Sequence, residues 1–336
     1  MRAVMVMMLV LGVVWGGYWV AGSMALQKGA EAWFGAQAAR GFIATNSRIA
    51  VHGFPNRFDL TVSDVHLADP VSGYGWDAAF AQVFSMTWKP WHLIAALPNA
   101  QTFTLPDQTV ALASTKLQAS LKLVPGTSMA LDGVVVDGAD LVATSSLGWV
   151  VMATRAELAT RQDVSVANGH EVNLTVTGLV PDAALVAGAG DLPAVIEMAT
   201  ADLVAGFSVP IDRFANETRP QVTALTIKDA QVRWGDLVIT AKGAVVADAD
   251  GLAEGRVDIH IKNWSGSNTV MSAAVPRRNV PPGRWNSRAG AHAIFSTSVE
   301  SEIAPFFTSQ VMFTASAVSS PMIPFGASAN SRSFSS

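Results

Sequence analysis

The chain contains no cysteine. That excludes a disulfide framework, a cysteine nucleophile, thiolate metal sites and a lipidated N-terminal cysteine. Charge is scarce as well. Only 14% of the 336 residues are Asp, Glu, Lys or Arg, against about 25% in an average soluble protein. No run of Lys and Arg occurs and the net charge is −4, so the basic stripe of a nucleic-acid-binding protein is missing. Half of the residues are hydrophobic, too many for a disordered chain. The length suits roughly two ordinary domains or one large all-β unit.

The N-terminus reads MRAVMVMMLVLGVVWGGYWVAG, with no charged residue from Ala3 to Ala21. About 20 such residues span a bilayer core as a helix. Arg2 precedes the run and Lys28 follows it, which favours an N-in orientation. Trp15, Tyr18 and Trp19 fall at its far end, where amphipathic rings settle at the membrane–water interface. The rival reading is a cleaved signal peptide, whose apolar stretch is shorter and ends at a small-residue site. Here bulky Tyr18, Trp19 and Val20 occupy that place, so residues 1–23 are read as an anchor. Residues 24–41 are Ala-rich, lack Pro and end in Gly41, which reads as a helical extension. Trp33 and Phe34 are its docking residues.

Beyond Gly41 the dominant period is two, the signature of half-buried strands. Residues 57–67 place Phe58, Leu60 and Val62 on one side; residues 79–88 place Phe80, Phe84, Met86 and Trp88 together. Residues 115–124 set Leu117, Leu121 and Leu123 against Lys116, Ser120 and Lys122. More alternating runs follow at 128–136, 139–144, 149–161, 171–179 and 196–209. A meander comes next, with strands at 222–228, 231–234, 237–247 and 252–262. Asp137-Gly138 and Asp250-Gly251 read as hairpin turns. The expected fold is mainly β: a transmembrane helix, then a curled antiparallel sheet forming a β-groove, sandwich or open barrel. Residues 42–180 form an N-terminal β half, 181–193 a linker, 194–265 a C-terminal β meander and 266–336 an irregular tail. One strand is expected in that tail, at 310–315.

Chemical motifs do not assemble. His170-Glu171 begins like H-E-x-x-H, but Leu174 stands where the second histidine belongs. The six histidines are scattered, and Asp248-x-Asp250-Gly251 lacks the later ligands of a calcium loop. Gly188-Ala189-Gly190 has neither a third glycine nor a P-loop lysine. No G-x-S-x-G elbow occurs. No catalytic residue, metal ligand or cofactor is therefore expected. The aromatic cluster Trp76, Phe80, Phe84, Trp88, Trp91 and Phe103 reads either as core or as the lining of an apolar groove for acyl chains. The candidate lining is Phe80, Phe84, Met86, Trp88, Leu117 and Leu121.

Two segments resemble an uncharacterised bacterial family, domain of unknown function 2125: His52-Gly53-Phe54-Pro55-Asn56-Arg57-Phe58-Asp59 and Lys89-Pro90-Trp91-His92-Leu93-Ile94-Ala95. Arg233-Trp234-Gly235-Asp236-Leu237, with Gly243, Asp250-Gly251 and Asn263-Trp264, adds to the likeness. The 222–262 meander is also similar to the C-terminal region of AsmA-like envelope proteins. The resemblance implies a single-pass bacterial inner-membrane protein with a cytoplasmic N-terminus and a periplasmic β-rich body. It carries over no catalytic residues. The expected function is non-enzymatic lipid binding or handling in envelope homeostasis, with the bilayer, a lipid ligand and envelope proteins as partners and no nucleic acid. The alternative is an envelope scaffold with a closed core that recruits partners through its sheet edges.

Overall fold

The computed structural model describes residues 1–188, 192–215, 217–247, 253–264, 267–275 and 295–298. One helix, α1 (Arg2–Ala39), carries the apolar run and continues unbroken through the Ala-rich stretch behind it. Ala, Leu, Gln and Glu propagate a helix readily, and no Pro interrupts them. Arg40 closes it and Gly41 leaves at φ +91°, a left-handed exit that suits glycine. The helix is long and apolar enough to cross a membrane.

All described strands belong to one antiparallel sheet. Strands β1 (Ile43–Thr45) and β2 (Arg48–His52) both pair with β3 (Arg57–Asp69), which pairs with β4 (Tyr74–Met86). Between β4 and β9 (Leu131–Ser145) the sheet divides into two lanes. Strands β5 (Lys89–Ala96) and β8 (Lys116–Leu123) form one lane. Strands β6 (Ala100–Leu105) and β7 (Gln108–Ala113) form the other. From β9 onward each strand pairs with the next: β10 (Val150–Asp163), β11 (Gly169–Val180), β12 (Ile196–Phe207) and β13 (Val222–Trp234). The series ends with β14 (Leu237–Ala247), β15 (Ala253–Trp264), β16 (Ser267–Val275) and β17 (Phe295–Ser298). Among the described elements, the substantial contacts are those between hydrogen-bonded neighbours and those of α1 with β1, β2 and β3. The described strands form a single hydrogen-bonded sheet, where a sandwich has two.

Several boundaries differ from the sequence reading. Residues 181–193 hold a short helix, α2 (Ala183–Gly188), but do not divide the sheet into halves: β11 and β12 pair from His170↔Ala205 to Leu179↔Ile196. Asp137-Gly138 is not a turn. It lies inside β9, where a Cβ on Gly138 would stand 3.1–3.4 Å from Leu141 and Leu117 carbons, so the glycine serves close packing. Asp229-Ala230 is an irregularity within one strand, with the register shifting between Ile227 and Ala230. The tail adds β16 and β17 where irregular chain was expected. Ser267–Val275 lacks clear alternation and owes its extension to pairing with β15. The turn at Asp250-Gly251 and the strand expected at 310–315 lie outside the described residues.

Alternation also reverses within strands. Phe58 and Val62 are buried on β3, and so is Val65, three residues on. Val62 and Val65 form one cluster with Phe34 of α1, packed about by Ile49, Leu60, Leu67 and Trp76. The odd step is absorbed by Asp64 at φ +50°, a conformation that Asp tolerates better than most residues. Ser47 Oγ donates to Asp64 Oδ2 at 2.6 Å. Asp140 on β9 repeats the device at φ +50°, with Thr115 Oγ1 donating to its Oδ2 at 2.7 Å. Each aspartate sits where the neighbouring strand changes, β2 giving way to β1 and β8 to β7.

Phe34 is buried as the sequence suggests, whereas Trp33 is exposed and meets Phe34 edge-on at 5.1 Å. Higher up α1, Trp19 stacks on Phe58 at 6.2 Å and Tyr18 meets the same ring at 6.3 Å. A Cβ on Gly22 would lie 2.6 Å from the Phe58 ring. That ring is confined, so the helix must lift if position 22 enlarges. Gly22→Leu should lower the melting temperature of the full-length protein. Phe58→Ala should cost roughly 3–5 kcal/mol and remove the penalty of Gly22→Leu, a coupling that a double-mutant cycle measures.

Candidate functional site

Residues directly opposite each other on antiparallel strands share a face, so the ladders assign every strand residue to a side. Leu60↔Val83↔Ala95↔Ala119↔Val136↔Leu158↔Leu174↔Ala201↔Ala230↔Ala241↔Ile259 is one row across the sheet. The next row holds Leu93, Leu121, Val134, Thr160, Val172, Leu203, Ile227, Gly243 and Val257. Both rows are apolar apart from one threonine, and they lie on the face that α1 touches at β1–β3. The helix covers that end only. Along β8–β15 the row residues are half-buried, Leu174 remaining 39% exposed, and none of them enters the buried core.

The opposite face is charged. Asp137 is held by Lys116 at 2.5 Å and by Arg155 at 3.3 Å. Glu171 takes Lys228 at 2.6 Å and also pairs with Arg161. The hydrogen bond from Lys116 holds the Asp137 carboxyl below its ordinary range, and Lys228 with Arg161 does the same to Glu171. These pairs are surface interactions that solvent screens, so they add little stability. Their positional consequence is larger: a slip of one residue would put charges on the apolar side.

The six residues expected to line one groove fall on two faces. Leu117 and Leu121 lie on the apolar side and are half-buried there. Phe80, Phe84 and Met86 pair with Ser63, Asp59 and Arg57 on the polar side, and the Arg57 guanidinium lies 5.8 Å from the Phe84 ring centre. Trp88 belongs to the turn between β4 and β5 and is 57% exposed. The bulkier set on β4 is thus not the core set. Where α1 approaches, the sheet needs small side chains, and Ala81, packed against the Phe34–Val62–Val65 cluster, supplies one.

Sequence reasoning missed two features. The first is a strap: the segment after β12 crosses the ends of β10 and β11 to reach the chain before β9. Leu131 N donates to Ile211 O at 2.8 Å and Arg213 N to Ser128 O at 3.2 Å. Near that end His170 is buried, with Nδ1 unpartnered, and meets the Phe207 ring edge-on at 6.0 Å. The second is the grip on α1. Trp15 Nε1 donates to Pro55 O at 3.0 Å, Tyr18 OH to Thr87 O at 2.8 Å and Trp19 Nε1 to Arg57 O at 2.7 Å. The three expected interface residues thus bond the β2–β3 turn, the first residue of β3 and the β4–β5 turn.

Two concavities lie among the described residues. One, of about 610 Å³, lies over the row His66, Asp77, Thr102, Ala111 and Thr144 on the polar side. The other, of about 200 Å³, lies beside α1 and is lined by Trp33, Phe42, Ile43 and Leu67 among others. Among the described residues no group of three His, Asp or Glu side chains is placed to hold a metal ion.

A family model for an uncharacterised protein conserved in bacteria (DUF2125) matches residues 19–295. No curated protein and no solved structure matches.

Burial pushes the His170 imidazole below its ordinary pKa. The unfolded chain therefore takes up that proton first as pH falls, so stability is complete above about pH 6.5 and declines below it. The melting temperature should drop between about pH 7 and about pH 5, and should drop less in His170→Gln. An equal drop in both proteins would assign the effect elsewhere, for instance to His92, whose pKa burial also lowers.

Proposed function

The chain belongs to the uncharacterised bacterial family DUF2125, and for this member we propose a membrane-anchored envelope protein that holds lipid acyl chains against the open apolar face of its sheet. In this reading α1 is a single-pass inner-membrane anchor with its N-terminus in the cytoplasm, and the sheet lies in the periplasm. The protein acts by binding, without catalysing a reaction.

One observation carries the proposal. The apolar rows run on across the eight strands β8–β15, beyond the strip that α1 touches, and among the described elements no helix is packed on them. From β8 to β15 a row spans about 34 Å at roughly 4.8 Å per strand, longer than a single extended acyl chain. Each CH₂ removed from water contributes about 0.8 kcal/mol, so a long chain gains many times thermal energy without any specific polar contact. A large exposed apolar surface on a soluble body calls for an occupant.

Purification in mild detergent followed by mass spectrometry of bound lipid tests this. Leu174→Asp places a carboxylate on the apolar row and should abolish lipid co-purification. Because Leu174 is partly exposed, stability should change by less than about 1 kcal/mol. Phe84→Asp lies on the other face and should keep its lipid. Absence of lipid from the wild-type protein would reject the proposal in favour of a scaffold that works through its sheet edges.

A further inference from the structure

We infer that two β-turns of the body enter the bilayer interface beside α1, so that the sheet rests on a lipid surface in addition to being tethered to it. This rests on the reading of α1 as a membrane anchor. The uncharged run extends from Ala3 to Gln27, yet the body already grips the helix from Trp15 onward, through the carbonyls of Pro55, Arg57 and Thr87. If those turns stayed in bulk water, only residues 3–14 would remain to cross the membrane. At about 1.5 Å per residue they reach roughly 18 Å, well short of a hydrocarbon core of about 30 Å. A core that thick takes about 20 residues, from Ala3 to about Gly22, so the turns that bond Trp15, Tyr18 and Trp19 sit at or below headgroup depth.

Their side chains suit that depth. Phe54, at the β2–β3 turn, is 62% exposed; Trp88, at the β4–β5 turn, is 57% exposed, and Met86 beside it 42%. Lys89 follows Trp88, and Lys122 stands opposite His92 on the neighbouring strand β8. Neither lysine has an ion-pair partner among the described residues. Exposed rings with unpaired cations behind them fit an interface containing anionic lipid. Continuity with α1 fixes the occupant as the membrane the helix crosses.

Because the chain has no cysteine, nitroxide labels can be placed singly on the full-length protein. Met8→Cys, Phe54→Cys, Trp88→Cys and Val71→Cys are reconstituted in vesicles of phosphatidylethanolamine and phosphatidylglycerol. Collision with oxygen and with a water-soluble nickel chelate is then compared. Val71, in the β3–β4 turn, is 88% exposed and serves as the aqueous reference. Labels at 54 and 88 should be several-fold less accessible to nickel than the label at 71. Lipid exposure at position 8 with nickel accessibility at 54 and 88 equal to that at 71 overturns the inference and leaves the anchor standing. Nickel access at all four positions overturns both. Lys89→Glu with Lys122→Glu should raise nickel access at 88 several-fold, and no change would remove the anionic headgroups from the account.

Discussion

An antiparallel sheet with one apolar face is stable in water only when that face is covered, and nearly every feature of this molecule follows from how little cover it has. The second half of α1 lies on the first strands and buries Phe34 with Val62 and Val65. Past that patch the sheet continues for many strands with its apolar rows half-buried. Ten hydrophobic residues form the buried core of the described chain, few for a chain that could bury a core on the scale of a large domain. The shortage is not a weakness of patterning, since the rows alternate cleanly with charged neighbours. Among the described elements only one helix, α1, makes substantial contact with the sheet.

The layout of the chain was legible because two strong periods mark it. The uncharged run and the Ala-rich stretch behind it give α1, and alternation gives the positions of most strands. Which side of a strand faces inward was less legible. On β4 the larger residues Phe80, Phe84 and Met86 look like core, but a helix lying across the sheet leaves room for Ala81 and pushes bulk to the other side. Nor does a fixed period of two survive along β3, because Asp64 in a left-handed conformation turns the following residues over. Turn chemistry misled in a similar way at Asp137-Gly138, where the glycine meets a packing demand inside a strand.

The aromatic trio on α1 shows how a contact between distant parts of the chain escapes a local reading. Trp15, Tyr18 and Trp19 have rings suited to a membrane boundary and polar tips that need acceptors. Backbone carbonyls in two turns and at the start of β3 provide those acceptors. Spacing along the helix reveals the rings; the acceptors come from residues 38 to 69 positions away in the chain and leave no local trace.

From β10 on, the substantial contacts of each described strand are with the strands before and after it in the chain. Such a structure is quasi-one-dimensional, like a stacked repeat protein, with stability built from neighbour terms. No closure condition fixes the number of strands, as it would in a barrel. Gain or loss of a hairpin would lengthen or shorten the apolar surface by about 10 Å while leaving the remaining ladder in register, so reach can evolve separately from attachment.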